Sequence, residues 1–186
     1  MVNMREIWAP IVISSALTFV ASSVIWMFLG YHKSDMASVT DEEALRETLR
    51  KQNLAPGQYG LPWSTDQKQR ATPEFKKKMI DGPLANITIR PAGSTGMGKV
   101  LGQWFLYLLI LNSVIAYAAG RTLPHGLSYL TVFRAVGTIS FLAYGGSTAV
   151  SSIFWGRPWK TTAKDLFDAF LYACLAAGSF GWLWPR

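Results

Sequence analysis

Long uncharged runs of apolar residues, separated by one extended polar stretch, dominate the pattern along this chain. Ile7 to Gly30 contains no charged residue, and neither does Val100 to Gly120, where Gln103 and Asn112 are the strongest polar groups. A third run, Ser128 to Phe154, holds only Arg134 near its start, and a fourth, Leu166 to Trp184, holds only Asp168 near its beginning. About 20 residues of helix, rising ~1.5 Å each, cross a hydrocarbon core of ~30 Å. Each run therefore predicts a transmembrane helix. The connections at 121–127 and 155–163 are short, which makes successive helices antiparallel. The expected fold is an all-α membrane protein, a four-helix transmembrane up-and-down bundle with one polar insertion between the first and second helices. Its segments are 1–30, a tail and first helix; 31–98, a polar extramembrane region; and 99–186, the remaining three helices.

A cleaved signal peptide is the rival reading of the first run, since Ala21-Ser22-Ser23 resembles a small-residue cleavage site. The apolar run continues through that site to Leu29, and almost no basic segment precedes it, so an uncleaved span is expected.

The polar stretch, residues 31 to 99, carries eleven of the eighteen Lys and Arg and eight of the eleven Asp and Glu. Thr40 to Glu43 reads as a capping box opening a helix from Asp41 to about Lys51. Pro56-Gly57 and Leu61-Pro62 break the chain, Thr72-Pro73 starts a second short helix to about Lys78, and Ile87-Thr88-Ile89 alternates as a strand does. So few large aliphatic side chains cannot bury much surface alone. This region is expected to pack on the membrane surface or on a partner. Counting Lys and Arg puts fourteen on the side of this loop and four on the other, which places the large loop in the cytoplasm.

Composition adds three points. The net charge of +7 suits anionic lipid headgroups, with Lys33, Lys99, Arg157 and Lys160 as candidate contacts and no nucleic-acid partner implied. The eight tryptophans fall largely near span ends, as an aromatic belt requires. The single cysteine, Cys174, rules out an intrachain disulfide and reads as packing.

Candidate chemistry is sparse. Gly93 to Lys99 fits the first seven positions of a phosphate-binding loop, but Val100 stands where a Mg²⁺-binding hydroxyl belongs, so a glycine hinge is the better reading. Asp168 is the strongest single candidate, because a carboxylate within a span is costly and faces a partner or a cavity. Lys164, one turn earlier, is expected to neutralise it. His32 and Asp35 sit at the end of the first span, and Asn112 lies in the second; together these five form the candidate polar site. One His without a second His or Cys beside it is a poor metal ligand set. No nucleophile motif, metal-ligand spacing or cofactor signature appears, so no catalytic residue and no cofactor is expected. Ala169, Ala173, Ala177 and Gly181 in the fourth span, Asn112, Ala116 and Gly120 in the second, and Ser14, Thr18 and Ser22 in the first form small-residue stripes that allow close helix packing.

His32-Lys33-Ser34-Asp35, Pro56-Gly57-Gln58-Tyr59, Gly82-Pro83 and the ending Gly178 to Pro185 resemble segments of a group of small uncharacterised bacterial multi-pass inner-membrane proteins. The resemblance implies an inner-membrane setting and carries no activity. The expected role is a non-enzymatic subunit or accessory protein of an inner-membrane assembly, with protein partners or self-association in the membrane. The alternative is a small oligomeric transporter or channel using Asp168. A lipid-modifying enzyme, resting on His32 and Asp35, ranks third.

Overall fold

The computed structural model describes residues 1–93 and 96–186 and is mostly helical. Helix α1 (Trp8–Val24) widens over Ile25–Leu29 and stops at Gly30. Gly30 takes φ +66°, a left-handed conformation that glycine adopts without a Cβ clash, and a 3₁₀ turn (Tyr31–Asp35) follows. After the polar stretch come α5 (Met97–Thr122), α6 (Tyr129–Gly145), α7 (Thr148–Trp155) and α8 (Trp159–Trp182); the labels α2 to α4 belong to the polar stretch described below. Two helices, Trp8–Leu29 and Met97–Thr122, are long and apolar enough to cross a membrane.

The other two apolar runs fold differently from expectation. Ser128 to Phe154 is not one helix: it breaks between Gly145 and Thr148. Adjacent glycines at 145 and 146 each cost about 1 kcal/mol against alanine in a helix interior, and Thr148 Oγ1 caps the broken end by donating to the Gly145 carbonyl at 2.8 Å. The last helix begins at Trp159 instead of Leu166, so Lys160, Lys164, Asp165 and Asp168 all lie on α8.

Helices α1, α5, α6 and α8 pack side by side, α1 against α5 and α8, and α6 against α5 and α8. Neighbours run antiparallel, as paired residues record: Asn112 meets Ser15 while Trp104 meets Ser22. The small residues serve this packing. A Cβ on Gly181 would sit 2.9 Å from the Tyr129 ring and 3.1 Å from its carbonyl, and one on Gly145 would sit 3.0 Å from Ala169. Ala116, Ala169, Ala173 and Ala177 are buried, and Gly120 lies under the Val2 carbonyl.

The interior of this bundle is divided along its length. At the end where α1 starts and α8 finishes, Val2, Ile7, Ile11, Ile115, Ala116, Ala119, Val132, Val136, Phe180 and Trp184 form an apolar cluster. Further along, polar side chains join the buried set, Ser14, Ser15, Thr18 and Ser22 on α1, Asn112 on α5, Ser140 on α6 and Asp168 on α8, beside the apolar Ile25, Leu108 and Tyr172.

A second compact unit covers residues 37–94. Helix α2 (Glu42–Lys51) is capped by Asp41, whose side chain accepts from the Ala44 N–H at 2.9 Å, one residue later than the Thr40 cap expected. Strand β1 (Gly57–Leu61) pairs antiparallel with β2 (Ala85–Ile89), setting Tyr59 opposite Ile87. Between the strands lie α3 (Gln67–Ala71) and α4 (Pro73–Asp81), the latter capped by Thr72 as expected. Among the described residues of this unit only Ser64 is buried; no hydrophobic side chain is.

Candidate functional site

Glycine 30 is what creates the site. By ending α1 and reversing the chain into a 3₁₀ turn, it brings Tyr31, His32 and Asp35 back against α8. His32 is 7% exposed and Asp168 4% exposed. The imidazole reaches a carboxylate with each ring nitrogen: Nδ1 lies 2.6 Å from Asp35 Oδ2 and Nε2 lies 2.9 Å from Asp168 Oδ2. The second oxygen of each carboxylate is also engaged. Tyr31 donates its phenol to Asp168 Oδ1, and Lys164 donates to Asp35 Oδ1. The ring lies flat on Trp26, centroids 4.0 Å apart and planes 7° off parallel, which excludes water from one face.

The electrostatics follow from these contacts. The Lys164 ammonium, and after it His32, hold the Asp35 carboxyl below its ordinary range. Burial pushes the Tyr31 phenol up, and the Asp168 carboxylate beside it pushes further, so this hydroxyl stays a donor. A depressed carboxyl contributes stability that is present above its unfolded value, about 3.9, and lost as pH falls through the lower folded value. Acid thermal melts are therefore expected to drop more steeply below about pH 4 for the native chain than for Asp35→Asn; parallel curves would remove the Asp35 contribution.

The remaining candidates divide. Lys164 does not neutralise Asp168: its Nζ bonds the Tyr31 carbonyl at 2.6 Å, Ser34 Oγ at 2.9 Å and Asp35. Asp168 lies deeper in the bundle, and His32 and Tyr31 occupy both its oxygens. Arg157 pairs with Asp165 at 2.5 Å. Lys33, Lys99 and Lys160 are exposed. Asn112 belongs to a separate place: its Nδ2 donates to Ser15 Oγ at 3.1 Å, Tyr144 OH at 3.0 Å and the Leu108 carbonyl at 3.0 Å. Among the described residues its Oδ1 has no hydrogen-bond partner. Tyr144, which Asn112 reaches, lies edge-on to the Tyr172 ring of α8, centroids 5.8 Å apart. Ser94 and Thr95 of the glycine-rich stretch lie outside the described residues.

Tyr31 and Trp26 complete the site without a signal in the sequence that marks them as part of it. Tyr31 adjoins His32 in sequence, but nothing local to it says that its hydroxyl reaches a residue on the last helix. The two carboxylates approach opposite edges of one ring, so their oxygens diverge. Among the described residues no group of three His, Cys, Asp or Glu is placed to hold a metal ion.

No protein-family model, no curated protein and no solved structure matches this chain.

Proposed function

We propose that the chain is a multi-pass protein of a bacterial inner membrane, crossing it with α1, α5, α6 and α8, and that it acts as a non-enzymatic subunit or accessory protein of a larger assembly. The observation that carries this reading is the unit at 37–94, which holds regular secondary structure without one buried hydrophobic side chain among its described residues. A segment of this size without a core is marginal alone, and Leu61, Trp63, Met79, Ile80 and Leu84 are left exposed on it. A protein partner covering those residues would supply the missing burial. The exposed Lys33, Lys99 and Lys160 suit anionic headgroups on the same, cytoplasmic, side.

Transport through the Asp168 site is the weaker reading. It requires a carboxylate facing an aqueous cavity, whereas Asp168 is buried with both oxygens bonded inside the chain.

The test is purification of the tagged protein from its native membrane in mild detergent, with mass spectrometry of what accompanies it. A stoichiometric set of membrane partners is expected for the native sequence and not for the double variant Ile80→Glu, Leu84→Glu, whose positions are 83% and 56% exposed and so tolerate charge without unfolding. Recovery of monomer alone from the native sequence would sink the proposal, and partners retained by the double variant would exclude this surface.

A further inference from the structure

We infer that His32 is a proton-binding site, its ring held as an imidazolium between Asp35 and Asp168, and that the bound proton fastens the end of α1 to α8. The argument is hydrogen-bond accounting. A neutral imidazole has one N–H donor and one acceptor nitrogen; only the cation donates from both. Here both nitrogens face carboxylate oxygens, at 2.6 Å and 2.9 Å. A carboxylate is an acceptor only, and its partner oxygen is already satisfied at each residue, by Lys164 at Asp35 and by Tyr31 at Asp168. A neutral ring would set a bare nitrogen lone pair against one of the two carboxylates.

Charge counting agrees. Two carboxylates face Lys164 and His32, so the cluster is neutral with the ring protonated and carries one uncompensated negative charge without it. That imbalance is expensive where His32 and Asp168 side chains are 4% and 6% exposed. The other charged groups on the neighbouring part of α8 do not alter the count: Asp165 is paired with Arg157, and Lys160 is exposed to solvent. The phenols of Tyr31 and of Tyr172, the next titratable side chain on α8, are uncharged and leave the count unchanged. On the 3₁₀ turn itself, Lys33 is exposed, and Trp26 contributes an uncharged face.

Proton access comes from one side. The Asp35 and Lys164 side chains are 11% and 14% exposed, so water reaches the cluster past this ion pair, while Asp168 closes the inner side. Release of the proton leaves His32 Nε2 or Nδ1 without a donor, and the strand of contacts joining α1 to α8 loosens. The site would then respond to the pH of the compartment that bathes Asp35.

The experiment reads the ring directly. The chain has two histidines, and His125 lies apart, 3.2 Å from Glu6, so His125→Gln leaves His32 as the sole histidine. Nitrogen NMR of histidine-labelled His125→Gln protein in lipid at pH 7 is expected to give one imidazolium, both ring nitrogens protonated. Adding Asp168→Asn, which keeps an acceptor oxygen and removes the charge, is expected to weaken proton binding by about tenfold or more. A neutral ring at pH 7 overturns the inference, as does a titration that Asp168→Asn leaves in place. The first measurement changes nothing in the site, so it decides the matter even where the second variant fails to fold.

Discussion

Asp168→Ala is expected to destabilise the protein by about 3–5 kcal/mol, the range found when one member of a buried charge pair is removed. The change strips the acceptor from His32 Nε2 and from the Tyr31 hydroxyl together. Among the described residues neither Nε2 nor the Tyr31 hydroxyl makes another hydrogen bond; the ring is stacked on Trp26, and Tyr31 is half-buried. For a chain of this length that loss corresponds to a melting temperature lower by on the order of 10 °C, followed by intrinsic fluorescence in detergent. Asp168→Asn keeps the shape and one acceptor and should lose less. A shift within 2 °C for the alanine variant would show that the pairing contributes little.

The second large effect belongs to the opposite end of the bundle. Phe180 is fully buried in the apolar cluster with Ile7, Ile115, Val132 and Val136. Phe180→Ala is expected to cost about 3 kcal/mol, the lower part of the usual 3–5 kcal/mol range. The lower part applies under the proposed four-span arrangement, where a lipid surround would reduce the gain from moving apolar surface out of water and leave mainly lost packing contacts. The distinguishing mark is pH. The deficit of Phe180→Ala should stay constant from pH 5 to pH 9, since the buried side chains of that cluster are apolar, whereas that of Asp168→Ala should vary with pH, because the change removes a charge from the cluster around His32. A strongly pH-dependent Phe180→Ala deficit would mean that the two ends of the interior are coupled.

How much of this was legible in the sequence depends on the range of the interaction. Helix positions in α1 and α5 follow from uninterrupted apolar runs, a local property, and Thr72-Pro73 named its own cap. The break at Gly145-Gly146 shows in the sequence as two residues of poor helix propensity, masked by the long apolar run around them. Strand β1 was hidden because Pro56-Gly57 and Leu61-Pro62, read as breaks, are the turns that bound it. At the site, Asp168, Lys164, His32 and Asp35 were all singled out as ionisable groups near span ends, and the structure joins them in one network. Their pairing was misjudged. The spacing of Lys164 and Asp168 along one helix suggested a bond between them, yet the partners of both come from Tyr31 to Asp35, more than a hundred residues earlier. Asn112 was grouped with them only because it is polar and within a span; its neighbours are Ser15 and Tyr144.

The lengthwise division of the interior also decides how the site would feel a membrane voltage. Potential falls most steeply where matter is least polarisable. With α1 and α5 across a bilayer, His32 would lie in the turn just beyond Leu29, the last residue of the first span, with the apolar layer of Ile7, Ile11, Ile115, Val132, Val136 and Phe180 between it and the far side. A full elementary charge moved through the whole field is worth about 2.3 kcal/mol per 100 mV. A proton reaching His32 from the Asp35 side crosses almost none of that drop. Energising the membrane would then leave the occupancy of His32 untouched, and the site would gauge acidity on one side while remaining blind to the electrical half of the proton-motive force.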